Sequence, residues 1–362
     1  MNIPKIISFL VSIAFYFATP LSALPVESVS PKQYVCYRTA SPMIIDGKAS
    51  ENCWKKAEWT TDFVDIIGVK GATPRFKTRA KMVWDDDFLY VFAELCEPHI
   101  WANVKNRDET MFVDNDFEVF IDPDGDTHHY YEYEMNALNT QWDLLLTRPY
   151  RDGGIPVTSW NFDGMSSAVQ IDGTLNDPSD VDLKWSVEIA FPLRSLIDSI
   201  TKFPVKAGDQ WRINFSRVEW QTFIENGRYV KFKNPKTGKP LPEDNWVWSP
   251  QGVVNMHCPE TWGFLQFSEL VAGEGTTTFV VNPEEAVKDE LRKLYFAQQK
   301  YRSTHNQYAN KIGDLYESEV SRPQFKFNPS LKGSPTAYEL SAKRSISGKV
   351  WHLNETGRVW AE

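Results

Sequence analysis

Carboxylates crowd one stretch of this sequence, Asp114-Asn-Asp-Phe-Glu-Val-Phe-Ile-Asp-Pro-Asp-Gly-Asp126. In an extended chain successive side chains point to opposite faces, so Phe117, Val119 and Ile121 share one side and Asp116, Glu118 and Phe120 the other. A return strand from Tyr130 to Asn136 puts Tyr131, Tyr133 and Met135 on one face and Glu132, Glu134 and Asn136 on the other. A tight turn centred near Asp126 then makes Glu118 face Glu134 and Asp116 face Asn136. Side chains opposed in this way sit roughly 5 Å apart, and like charges there are destabilising. The pair calls for a cation, an arginine such as Arg79 or Arg217, a shared proton or a solvated face, unless the register slips by one residue. At the turn itself Asp122, Asp124 and Asp126 surround Gly125. That suits a hard cation such as calcium, which takes several oxygen ligands at about 2.3–2.6 Å. The spacing is not that of an EF-hand loop, because the glycine precedes the third acid.

A second dense region runs from Asn245 to Gly263 and mixes Trp246, Trp248 and Trp262 with Asn255, Met256 and His257. Pro250, Gly252 and Pro259 make it a loop, and loops on a rigid scaffold are where binding residues sit. Aromatic faces stack on the apolar faces of sugar rings, while Asn, His and Glu bond the hydroxyls. Trp185 and Trp211 are expected to be core, whereas for Trp246 and Trp248, flanked by polar residues and proline, exposure stands beside core packing as an alternative. Met256-His257 also suggests axial haem ligation. Neighbours on an extended segment point to opposite faces, however, so one of them would need a distant partner such as His128 or His129.

The elements that must position these groups are short alternating segments broken by turn chemistry. Lys81 to Trp84 and Phe88 to Ala93 flank an acidic turn at Asp85–Asp87, and Trp185 to Phe191 and Trp211 to Phe215 alternate in the same way. No long helical period interrupts them, so the expected fold is an all-β, antiparallel β-sandwich over residues 34–270. The segment from Asn226 to Asp244, rich in Gly, Pro and Lys, is expected to be an exposed loop. After a linker at Ala272–Thr278, Asn282-Pro283-Glu284-Glu285 marks a helix start with Asn as the cap. Residues 280–362 form a small C-terminal α+β appendage in this reading, ending in two short strands around Asn354–Gly357.

Among the 362 residues 42% are hydrophobic and 24% charged, which excludes disordered and fibrous classes. A net charge of −9 argues against nucleic acid or an anionic membrane as partner. Lys5, the apolar run from Ile6 to Ala18 and the small residue Ala23 have the form of a signal peptide over residues 1–23. That run is too short for a comfortable membrane span of about 20 residues and no later stretch comes close, so a secreted or periplasmic location is expected. Cys36, Cys53, Cys96 and Cys258 allow two disulfides there but lack CxxC spacing, and free buried thiols are an equal alternative.

Several motifs in order resemble the family 9 carbohydrate-binding modules: Ile45-Asp-Gly-Lys-Ala-Ser-Glu51 with Trp54-Lys-Lys-Ala57, Val83 to Val91, Asp116 to Asp122, and Pro259 to Gly263. Together with Trp211 to Arg217 and Trp248 to His257, the stretch from Tyr34 to Phe267 is similar to bacterial secreted family 9-like carbohydrate-binding proteins. The resemblance implies a sandwich that clamps an oligo- or polysaccharide between aromatic plates, with structural calcium nearby, accessory to polysaccharide breakdown. By position it places one plate at Phe112 and an acid at Glu118. Glu134 stands where the family has an arginine, and Met256 where it has a second tryptophan, so Trp142 or Trp248 is the candidate replacement plate. The expected ligand-binding set is Phe112, Asp116, Glu118, Glu134, Asn136, Trp142, Arg217, Trp248, Asn255, Met256 and His257, with Asp122, Asp124 and Asp126 for calcium. Two other functions stay open at this level: a glycoside hydrolase using the Glu118/Glu134 pair at retaining-type spacing, and a haem-binding electron-transfer domain.

Overall fold

The computed structural model describes residues 30–196, 203–318, 321–344 and 346–362. The expected signal peptide, residues 1–23, lies outside them. The alternating segments form strands, and their apolar faces close on one another as a sandwich. One layer carries Pro156–Val157, Gln141–Leu146, Tyr130–Asn136, Asp116–Asp122, Gln210–Glu219 and Gly263–Val271 in that spatial order. The other carries Thr78–Trp84, Phe88–Cys96, Lys184–Pro192 and Ser166–Asp172. These neighbours pair antiparallel, as the sequence suggests. The strand Gln33–Arg38 joins the layers, running parallel both to Gly263–Val271 and to Thr78–Trp84.

Between the layers Phe117, Val119, Ile121, Tyr133 and Met135 pack against Leu89, Val91, Val187, Ile189 and Phe191, all buried. This is the apolar side of the alternation. The polar side of the Asp116–Asp122 hairpin must therefore face outward from the sandwich. It is covered in part by the segments around Ile66 and from Val247 to Trp262, which bury Phe120, Tyr130, Leu144 and Leu146 in a smaller apolar cluster.

Several local expectations need correction. Thr222–Glu225 and Arg228–Lys231 form a two-stranded ribbon around Asn226-Gly227, so the expected loop from Asn226 begins as a hairpin. Both turn residues have positive φ, +52° and +70°, which Asn and Gly supply at little cost. The C-terminal helix is Glu285–His305, starting after Asn282 rather than on it. Asn282 Oδ1 accepts from the Glu284 N–H at 3.0 Å, so the asparagine caps a preceding turn. The C-terminal sheet contains Ser330–Gly333, Tyr338–Lys343, Val350–Asn354 and Val359–Ala361, more strands than the two expected. Its core, with Leu291, Leu294, Leu340 and Leu353, is separate from that of the sandwich. The four cysteines are free thiols.

Candidate functional site

The floor of the site follows from strand register. Glu118 pairs with Glu134 and Asp116 with Asn136, as the turn position predicts. The next strand sets Trp142 beside Glu134, and on the far side Ser216 lies beside Glu118. One row thus crosses the sheet as Trp142, Glu134, Glu118 and Ser216. The neighbouring row brings Leu144, Glu132 and Phe120. Above these rows opens a hollow of about 320 Å³.

Its walls come from loops. Phe112 stands on the rim, 41% exposed. Trp220 Nε1 donates to the Phe112 carbonyl at 2.9 Å and fixes that backbone. On another wall Tyr150 and His257 meet edge to face with ring centroids 4.4 Å apart. The Tyr130 hydroxyl and His257 Nδ1 lie 2.9 Å apart, and Asn255 Oδ1 accepts from the His257 N–H. Arg151 ties this wall to the appendage: it donates to the His257 carbonyl at 3.3 Å, to Glu260 at 2.9 Å and to the Tyr295 hydroxyl at 3.3 Å.

The floor is electrostatically costly. Burial pushes the Glu118 carboxyl up to about 7. Burial and then Glu118 raise Asp116, Glu132 and Glu134 well above the usual carboxylate range. Asp116 Oδ2, Glu118 Oε2 and Glu134 Oε2 have no hydrogen-bond partner, and neither has Trp142 Nε1. His257 is held neutral, its imidazole driven down to about 3 by burial and then by Arg151.

The acidic turn is built differently. Asp122 accepts from the Gly125 N–H at 2.9 Å and the Thr127 N–H at 3.0 Å, one with each oxygen. Asp126 accepts from the His128 N–H at 2.7 Å and from Arg358 at 3.0 Å. Here too burial, then Asp124, lifts the Asp126 carboxyl, to about 6. In both clusters, Asp116–Glu118–Glu134 and Asp122–Asp124–Asp126, one ligand oxygen from each residue lies within 4.8 Å of the others, so either is spaced to hold a metal ion.

Residues 45–163 match a family model described as carbohydrate family 9 binding domain-like. Over this segment the chain is similar to family 9 carbohydrate-binding domains. Over 100 residues the chain is 31% identical to exoglucanase XynX of Acetivibrio thermocellus, and 30% identical to endo-1,4-beta-xylanase A of Thermoanaerobacterium saccharolyticum. Each match takes in 28% of this chain and only 8% of the relative. Among solved structures the chain is similar to a family 9 carbohydrate-binding module from Caldicellulosiruptor kristjanssonii in complex with cellotriose, at 16% identity and a TM-score of 0.41, covering 68% of this chain and 100% of that one. It is also similar to a putative carbohydrate-binding protein from Bacteroides uniformis, at 16% identity and a TM-score of 0.48, covering 66% and 100%.

The family 9-like segment supplies the floor, Phe112 and Tyr150, whereas Glu243, Asn245 and residues 254–257 of the hollow lie beyond it. Of the residues expected from sequence, the hollow gathers Phe112, Glu118, Glu134, Trp142, Asn255, Met256 and His257. It does not gather the other four. Asp116 is buried one pair further along the same face, and Asn136 holds the Val104 carbonyl and Asp114. Arg217 is wholly buried and bound to Glu97 at 2.6 Å and Glu219 at 2.8 Å, which leaves it nothing to offer the Glu118–Glu134 pair. Arg79, the other suggested partner, donates to Glu94 at 3.0 Å.

Trp248 is 1% exposed and Trp246 2%, so of their two alternatives core packing holds, and Trp248 does not serve as a replacement plate. The Trp248 ring packs so closely on Gly263 that a Cβ there would lie 2.4 Å from it. The groups behind the haem reading have other contacts: the Met256 sulfur accepts from Gln251 Nε2 at 3.0 Å, and His128 lies against Thr356 at 3.1 Å. Sequence reasoning missed Glu132, Tyr150 and Glu243. Glu132 shares the alternating face with Glu134 and was within reach of the same signal; Tyr150 and Glu243 come from loops that no period places.

Proposed function

We propose that the protein is an exported carbohydrate-binding protein that holds a saccharide in the hollow, accessory to polysaccharide breakdown. The observation that carries this reading is the juxtaposition of aromatic faces, Phe112, Trp142 and Tyr150, with the acceptors Glu118, Glu132 and Glu134 in one hollow. Aromatic faces take the apolar sides of a pyranose ring, and carboxylate oxygens accept from its hydroxyls. Residues 34–270 would form the binding unit, with residues 280–362 bracing the His257 wall through Arg151. Glucose, cellotriose and fragments of xylan make the first test panel, since the relatives and similar structures name these sugars or act on these polymers. Isothermal titration of the full chain should detect a soluble saccharide. Phe112→Ala and Glu118→Ala should each weaken it about tenfold, and silence across a broad glycan panel would refute the reading.

Calcium at Asp122, Asp124 and Asp126 is the finer expectation for the second acidic cluster. Its support is the spacing of the carboxylates. Backbone N–H groups and Arg358 compete for the same oxygens, so an ion there would bind weakly. The hydrolase reading keeps one observation in its favour, the Glu118–Glu134 pairing. Against it, the family model matched over residues 45–163 describes a binding domain. Release of reducing sugar that disappears in Glu118→Gln would reinstate it.

A further inference from the structure

The hollow's floor gathers several buried carboxyl groups that the chain itself does not satisfy. Asp116, Glu118 and Glu134 are 0%, 4% and 3% exposed, and each keeps one carboxylate oxygen without any hydrogen-bond partner. An unpaired buried polar atom costs about 1–3 kcal/mol, and more when charged. Such a group persists where something outside the chain satisfies it. Glu118 and Glu134 line the hollow, so the buried cluster adjoins it. Two oxygens each about 2.4 Å from one ion stand roughly 3.4–4.8 Å apart for angles of about 90–180°. The three carboxylates meet that limit, with one oxygen of each within 4.8 Å of the others. An all-oxygen, all-anionic donor set selects a hard divalent cation over zinc or copper.

We infer that Asp116, Glu118 and Glu134 hold a divalent, oxygen-seeking cation of the calcium class, whose open coordination positions face the hollow and accept saccharide oxygens. Vicinal hydroxyls or a uronate carboxylate would complete the ligand shell, with Phe112 and Tyr150 packing on the ring. The saccharide part rests on the function proposed above; the ion site does not.

Titrating calcium chloride into the chelator-treated full chain by calorimetry tests the ion site. A site that weakens by roughly tenfold or more in Glu134→Gln and in Asp116→Asn, but not in Asp124→Asn, is expected. Near-UV circular dichroism matching the parent shows that these variants remain folded. Unchanged calcium affinity in both Glu134→Gln and Asp116→Asn overturns the inference, as does absence of binding. Loss in Asp124→Asn alone also overturns it by placing the ion at the turn. A saccharide found in the glycan panel should lose affinity in EDTA and regain it with calcium. Binding that ignores EDTA, including binding of protonated glucosamine, removes the bridging role. Calcium bound at Glu134 with no saccharide in either condition retains the ion site and sinks the saccharide reading alone.

Discussion

Two carboxylate clusters sit on the same hairpin, one at its turn and one on its outward face, and the protein treats them in opposite ways. At the turn Asp122 and Asp126 are surrounded by donors: the N–H groups of Gly125, Thr127 and His128, and the Arg358 guanidinium. On the face Glu134 meets Glu118, Glu132 and Asp116, and each of these contacts raises its pKa further. Asp116, Glu118 and Glu134 are all buried, as are Asp122 and Asp126 at the turn, where Asp124 alone is not. What separates them is the supply of local donors: a tight turn exposes backbone N–H groups to nearby carboxylates, whereas a strand interior has its N–H groups in the ladder. The turn cluster is satisfied by donors from the chain itself. The face cluster works against the fold and gains from whatever enters the hollow.

The sharpest way to break this comparison is to remove one acid from each cluster. Asp122→Ala strips acceptors from two buried N–H groups and should cost about 2–4 kcal/mol of unfolding free energy in urea. Glu134→Gln, measured in chelator at pH 7.5, should instead be neutral or stabilising by about 1 kcal/mol, because it removes an unsatisfied buried acid from directly opposite Glu118. Equal losses in the two variants would mean that the face carboxylates have partners after all, and the contrast would fall.

Acidity sharpens the same contrast. In the metal-free protein Glu118 is raised from 4.5 to about 7. The native state therefore binds more protons than the unfolded one between those values, and stability falls as pH rises through that window. The parent in chelator should be more stable at pH 5 than at pH 7.5, and Glu118→Gln should lose part of that slope. Asp126 and Glu188 are also raised, to about 6 and about 7. The diagnostic quantity is accordingly the difference between parent and variant. A slope unchanged in Glu118→Gln would contradict the assignment.

Much of the floor was legible because two constraints agree. Alternation assigned Phe117, Val119 and Ile121 to the core, and the turn at Asp126 fixed the register, so the Glu118–Glu134 pairing followed from residue spacing alone. The walls were not legible, because loops have no period. Pro250 and the polar neighbours of Trp248 left exposure open. Its position instead follows from the strand Asp244–Val247 pairing with Gln210–Glu219, which delivers Trp246 and Trp248 to the interior. Arg217 misled for a similar reason: its partner Glu97 is 120 residues distant in the chain. The ties between sandwich and appendage, Arg151 to Tyr295 and Arg358 to Asp126, are also long-range and have no local signature.

Arg358 offers the finest test of how donors decide between the clusters. Its side chain is 37% exposed, so solvent screens its contact with Asp126. Arg358→Ala should cost no more than about 1 kcal/mol of stability, because Asp126 keeps the His128 N–H and the Val359 N–H still reaches the Asp126 carbonyl. Its consequence for ions should be more visible. With the guanidinium gone, one oxygen of Asp126 is freed beside Asp122 and Asp124, and the turn comes to resemble the hairpin face. Calorimetry should then show a second, weaker calcium site in Arg358→Ala, additional to the one lost in Glu134→Gln. If the parent already binds two ions and Arg358→Ala changes neither, the arginine is not what holds the turn closed to calcium, and the backbone N–H groups alone must account for the difference between the two clusters.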